Sequence, residues 1–218
     1  MITTAHNESG ESIPYILNDE SLSPKYVIIL FPGGKGDLDP HLEEGKLTYK
    51  FKANFLIRTR SLMVDQEFAT AATNASQSTE RILAIIDDLK KRFPAAQLYL
   101  MATSNGTYDT IEMAAFLSDK IAGEIHTSSL QRISFLDPRK YKNRHLVVHH
   151  LNDPCRYTPL FAAQASHDRY GTELIIMDGG VSVGDPCEPF SHHGFNGIEK
   201  ETIDAIKAWI RKGTPKAS

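Results

Sequence analysis

Cysteine is scarce in this sequence, with two in 218 residues, and aromatic side chains make up only 9%. No apolar run approaches the roughly 20 residues that a membrane-spanning helix needs. Neither sign of charge is in clear excess: 24 basic against 27 acidic residues leave a net charge of -3, which gives no electrostatic reason to bind phosphate backbones or anionic membrane surfaces. Nucleic acid is thereby disfavoured as the main partner. The start, Met1 to Ser12, is too polar for a signal-peptide core, so the expectation is either a cytoplasmic protein or one whose leader was removed before the numbering begins. Internal repeats, low-complexity tracts and linker-like Pro/Gly/Ser stretches are also missing, and a single domain over residues 1–218 is expected. A phosphate-binding Gly-x-Gly-x-x-Gly is not found, because Gly33, Gly34, Lys35 and Gly36 lack the spacing of a dinucleotide or P-loop fingerprint. No cofactor and no metal are expected. A chain this long buries roughly 70% of its unfolded surface, so folding requires no covalent staple.

What is present is an alternation. Short apolar runs rich in β-branched residues alternate with helical patterns, the mark of a mostly parallel sheet with helices on both faces, an α/β fold. Tyr26 to Phe31 reads as a buried strand that stops at Pro32-Gly33-Gly34. A helix is expected from the cap Asn54 through Met63, then a short strand from Phe68 to Thr73. From Ser78, Ile82, Ile85, Ile86, Leu89 and Phe93 recur at helical spacing until Pro94. Strands follow at Gln97 to Ala102, near Glu124 to Thr127, at His145 to His149 and at Thr172 to Met177. A helix through Ile111 to Phe116 follows the first of these, and the last helix carries Ile203, Ile206, Trp209 and Ile210. Gly213 and Pro215 mark its end, and residues near Ile13 to Leu17 supply one or two edge strands.

The chemistry gathers at strand ends. Ser104 stands where a buried strand turns abruptly into a helix, with the small residues Ala102 and Gly106 two before and two after it. Such a turn lifts the hydroxyl above the sheet and places a helix N-terminus behind it, a source of N–H groups for a developing oxyanion. Asp153 follows the strand ending at His149, and His192 and His193 follow the last strand, just before the final helix. The chain order Ser, Asp, His is the one expected when a nucleophile elbow, an acid and a histidine converge on one sheet edge.

On these residues the chain resembles the α/β-hydrolases, over the stretch from about Tyr26 to the last helix. It is similar to the dienelactone-hydrolase-like and small esterase branches, which have no large lid. Leu30 to Gly36 match the glycine-rich loop of that fold, and Ala102 to Gly106 match its nucleophile elbow. His149 to Asp153 match its acid segment, and His193, Gly194 and Phe195 match its terminal histidine motif. Three departures stand out: Ala102 for the first elbow glycine, Phe31-Pro32 where some esterases have His-Gly, and His150 for a glycine. The resemblance implies a serine hydrolase acting on a carboxylic ester, small or polymeric, with Ser104 as nucleophile, His193 as base and Asp153 as the acid that orients it. His192 is the rival to His193. The oxyanion donors would be the N–H of Asn105 and one from Gly34 or Lys35. A lactonase or thioesterase would use the same triad, and a catalytically silent hydrolase fold used for binding is the reading from another class. About 17 residues separate the strand near Glu124 from the one at His145, too few for a cap domain.

Cys155 lies two residues after the proposed acid and Cys187 six before the proposed histidine. If the two catalytic loops converge, a disulfide can join them, which would favour a periplasmic or secreted protein. Two free buried thiols in a cytoplasmic enzyme, or a Cys/His metal site, are the alternatives. His126, His145, His149 and His150 lie on or beside strands and are read as structural residues.

Overall fold

The computed structural model of the chain describes residues 1–213, so the expected helix stop at Pro215 lies outside the described residues. Eight strands form one sheet: β1 (Ile2–His6), β2 (Ser12–Asn18), β3 (Tyr26–Phe31), β6 (Phe68–Ala72), β7 (Gln97–Thr103), β8 (Gly123–Thr127), β9 (Arg144–His150) and β10 (Glu173–Met177). Their order is β1-β2-β6-β3-β7-β8-β9-β10; β1 and β2 are antiparallel and the six from β6 to β10 run parallel. A separate small hairpin pairs β4 (His41–Glu43) with β5 (Lys46–Thr48).

The period-2 alternation of the strands sorts their side chains onto two faces. Val27, Ile29, Phe31, Leu98, Leu100 and Ala102 pack under α2 (Thr79–Arg92) and α3 (Gly106–Leu117). Their neighbours Ile28, Leu30, Tyr99 and Met101 pack under α1 (Phe55–Thr59) and α5 (Glu199–Arg211). α4 (Leu160–Tyr170) covers Val147 at the β9 end of the first face.

The expected strands all form, as do the helices from Ser78, through Ile111 and at the C-terminus. Ser78 caps α2 by accepting from the Arg81 N–H at 3.3 Å, and Glu199 and Glu201 occupy the first turn of α5, where the helix dipole favours acids. Two differences have local causes. α1 stops at Thr59 rather than running to Met63: the Thr59 hydroxyl and the Arg60 guanidinium take the carbonyls of Phe55 and Ile57, and turns at Thr59 and Ser61 carry the chain to β6. α4 has no counterpart among the helices expected from sequence, because its apolar stripe is thin. Only Ala162, Ala163 and Ser166 are buried, while Phe161 points outward. Between β8 and β9 the chain forms only short 3-10 turns, so no cap covers that edge.

Candidate active site

Ser104 ends β7 at φ 50°, a left-handed conformation rare for a residue with a Cβ. The sharp turn is held by Ser104 N–H donating to Thr127 O at 3.0 Å and by Thr107, whose N–H and hydroxyl both donate to Ser104 O. It also depends on two missing side chains. A Cβ on Gly106 would sit 2.7 Å from Pro32 O, and one on Gly33 would sit 2.9 Å from Thr103 O and 3.0 Å from the Ser104 Cβ. The loop after β3 and the start of α3 therefore pass in backbone contact across the elbow.

Asp153 and His193 are brought together from loops 40 residues apart. His193 Nδ1 lies 3.0 Å from Asp153 Oδ2, and both side chains are buried. His193 belongs to a short 3-10 turn, His192–Gly194, capped by Ser191 Oγ, which accepts from the His193 N–H at 3.1 Å. Its backbone is anchored from two directions: the Ser128 hydroxyl donates to His193 O at 2.7 Å, and Arg58 Nη2 donates to Gly194 O at 2.7 Å. His192 points elsewhere, stacking on His150 with ring centroids 4.3 Å apart. The structure thus brings His193, not its neighbour, to the acid.

Asp153 is thoroughly engaged. Its Oδ1 accepts from the Cys155 N–H at 2.9 Å, and Oδ2 accepts from the Thr158 hydroxyl at 2.9 Å, with His149 Nε2 at 3.4 Å. Burial works against the charged carboxylate, yet the hydrogen bonds from His149 and His193, the nearby His193 charge and the Cys155 N–H outweigh it. They hold the carboxyl well below the usual carboxylate range. Thr158, which sequence reasoning missed, also lies 3.1 Å from His193 Nδ1. No motif announces it, because its role arises from the fold of the loop after Asp153. His150 keeps a structural role, with Nδ1 accepting from the Asn152 N–H and Nε2 donating to Gly179 O.

Ser104 and His193 line one cleft of about 290 Å³ together with Phe51, Phe55, Cys187, Glu188 and Pro189. Gly33 and Gly34 complete its rim. Asn105, at the start of α3, donates from Nδ2 to Gly34 O at 2.8 Å and so ties the glycine loop to the elbow. Cys155 and Cys187 form a disulfide, which joins the Asp153 loop to the loop before His193. A thiol-bearing metal site is thereby replaced by a covalent bridge.

No family model matches the sequence, and no curated protein matches it. Solved structures do. A lidless α/β serine hydrolase from Xanthomonas campestris superposes with a TM-score of 0.63 at 12% identity, over 100% of this chain and 96% of that one. Est1E from Butyrivibrio proteoclasticus does so with a TM-score of 0.67 at 16% identity, over 97% and 98%. A thermophilic esterase from Thermogutta terrifontis gives 0.61 at 11%, over 98% and 100%. This is the α/β-hydrolase fold. It is the lidless form, with β7 and α3 flanking the turn at Ser104, Asp153 in the loop after β9 and His193 in the loop after β10. The antiparallel pair β1 and β2 forms the sheet edge opposite β9 and β10, the strands that lead into the loops carrying Asp153 and His193.

Proposed function

We propose that the protein is a serine hydrolase that cleaves a carboxylic ester through an acyl-enzyme on Ser104, within one domain. The observation that carries this reading is that His193, held from behind by buried Asp153 at 3.0 Å, opens on the same cleft as a serine in a strained left-handed turn.

In the reaction, His193 takes the Ser104 proton as the serine oxygen attacks the ester carbonyl, and then gives it to the departing alcohol. Water repeats the sequence on the acyl-enzyme and releases the acid. Asp153 fixes the Nδ1–H tautomer and stabilises the imidazolium; its carboxylate stays ionised throughout, consistent with its lowered pKa. The oxyanion is held by the N–H of Asn105 and a second donor from the glycine loop. Gly34 is favoured over Lys35 for two reasons. Gly34 lines the cleft and Lys35 does not. The trans peptide between them also directs the Lys35 N–H away from the Asn105 side chain that binds Gly34 O. Losing one such donor costs about 3 to 4 kcal/mol of transition-state stabilisation.

An ester substrate is in keeping with two of the similar structures, the thermophilic esterase and Est1E, the latter also solved with ferulic acid bound. The apolar wall of Phe51 and Phe55 suits an apolar or aromatic acyl group.

A fluorophosphonate probe should label wild-type protein at Ser104, and Ser104→Ala should abolish labelling and lower kcat on short-chain aryl esters by about five to six orders of magnitude. Labelling and hydrolysis that both survive the substitution overturn the triad. Turnover of thioesters or lactones in preference to esters selects those substrates instead, and no turnover across all three classes favours a silent binding protein.

A further inference from the structure

Backbone strain gathers around the cleft. Ser104, Ser128 and Phe195 hold positive φ angles of 50°, 43° and 55°, and each has a task there. Ser104 is the nucleophile of the proposed reaction, and the Ser128 hydroxyl holds His193 O. The Phe195 N–H closes the turn that carries His193 by donating to His192 O at 3.0 Å. Phe51 is strained in the same way, at φ 54°, and none of these tasks falls to it. The left-handed region is costly for a residue with a Cβ and rare for one with a bulky ring, and such outliers persist mainly where a site makes use of them.

Core packing does not account for it either. Phe51 is half-buried yet belongs to none of the apolar clusters that hold sheet and helices together, although Tyr49, two residues earlier, packs against the one under α1 and α5. Its ring lies instead on the glycine loop, where it lines the cleft with Ser104. A Cβ on Gly34 would sit 3.0 Å from Phe51 Cε1 and 3.6 Å from its Cζ, so the ring edge takes the space that a side chain at Gly34 would fill. Asn54 anchors the turn that presents the ring. Its N–H donates to Phe51 O at 2.9 Å, and its Oδ1 accepts from the Leu56 N–H at 3.1 Å at the start of α1.

We infer that Phe51 sets the acyl specificity of the site, selecting uncharged acyl groups that carry one aromatic ring on a short tether over long straight chains. The inference rests on the hydrolase reading above. An acyl oxygen held by the Gly34 N–H places the acyl group beside the ring that lies on Gly34. A flat ring gains there from an aromatic contact, beyond the area it buries, that a straight chain does not make. Size points the same way: an apolar cavity of about 150 Å³ holds a benzene ring, and the cleft of about 290 Å³ has room for one ring and a short tether. Charge completes the selection. Among the described residues lining the cleft there is no lysine or arginine, and Glu188 is a carboxylate, so an acyl group bearing its own carboxylate meets repulsion with no cation to offset it.

The test compares kcat/KM for the p-nitrophenyl esters of acetic, phenylacetic and octanoic acids, which share one leaving group. Wild type should prefer phenylacetate to octanoate by about tenfold or more, and Phe51→Gly should lower phenylacetate about tenfold more than it lowers acetate or octanoate. Phe51→Tyr, which keeps the ring, should restore the wild-type order. Across acetate esters of different alcohols, Phe51→Gly should keep the wild-type ranking. The strain has its own readout: Phe51→Gly should unfold about 2 to 4 °C above Phe51→Ala, the reverse of their order at ordinary backbone angles. A wild-type preference for octanoate overturns the inference, and so does an equal effect of Phe51→Gly on all three acyl groups. A shift in the alcohol ranking in place of the acyl one, or a glycine variant no more stable than the alanine variant, overturns it too. Fluorophosphonate labelling separates this from the hydrolase reading. Labelling at Ser104 alongside any of those outcomes leaves that reading standing, whereas wild type that is neither labelled nor active removes both.

Discussion

Thr158 sits between the two groups on which the proposed chemistry turns, 2.9 Å from Asp153 Oδ2 and 3.1 Å from His193 Nδ1. Its hydroxyl shares the carboxylate with the imidazole and limits how far the ring can swing, so it is a positioning residue. Thr158→Val, which keeps the shape, should lower kcat about tenfold or more with little change in KM, while Thr158→Ser restores most of it. Steady-state kinetics on an aryl ester checks both. Asp153→Asn should lower kcat by about four orders of magnitude, since an amide cannot hold the Nδ1–H tautomer in the same way. The same substitution has a pH signature. The folded-state pKa of Asp153 is depressed from 3.8, so its contribution to stability is full above about that pH and is lost as pH falls toward the lower folded value. Urea unfolding of wild type should therefore weaken with acid more steeply than that of Asp153→Asn. Ser104, Asp153 and His193 were legible as residue types at strand ends in the right chain order. Thr158, Ser128 and Arg58 were not, because a hydroxyl or guanidinium that braces a loop has no local pattern and acquires its partner only across the fold.

At the scale of elements, the elbow is a contact between the loop after β3 and the first turn of α3. Gly106→Ala would force a Cβ to within 2.7 Å of Pro32 O, a backbone atom that cannot rotate away. The variant should lose about 1 to 3 kcal/mol of stability in urea titrations and lose activity beyond that, because Pro32 leads directly into the glycine loop. The strands were readable because they are continuous apolar runs, and α2 and α5 because an apolar stripe repeats at helical spacing with charged residues opposite. α4 was invisible for the converse reason: it presents two alanines and a serine to the core, and the apolar content that a pattern would register faces outward.

Across the whole molecule, the Cys155–Cys187 bridge closes a loop with a sequence separation of 32. In the chain-entropy model such a loop stabilises by about 3 to 4 kcal/mol. Its placement suggests a more local effect, since the Cys155 N–H holds Asp153 Oδ1 and Cys187 lines the cleft. The Cys155→Ser, Cys187→Ser double variant should lower the thermal midpoint and reduce kcat even well below that midpoint, and dithiothreitol should do the same to wild type. Differential scanning calorimetry and esterase assays at a fixed low temperature separate the two effects. The alternation of apolar runs and amphipathic stretches determined by itself an α/β sheet with helices on both faces, because burial of a period-2 or period-3.6 stripe is a local demand. The order of Ser104, Asp153 and His193 along the chain likewise needed no third dimension. Which histidine meets Asp153, which loop glycine borders the serine, and that the Phe51 ring lies on Gly34 were decided only by tertiary structure. Each depends on strand register and loop path, and these are set by packing between segments distant in the chain.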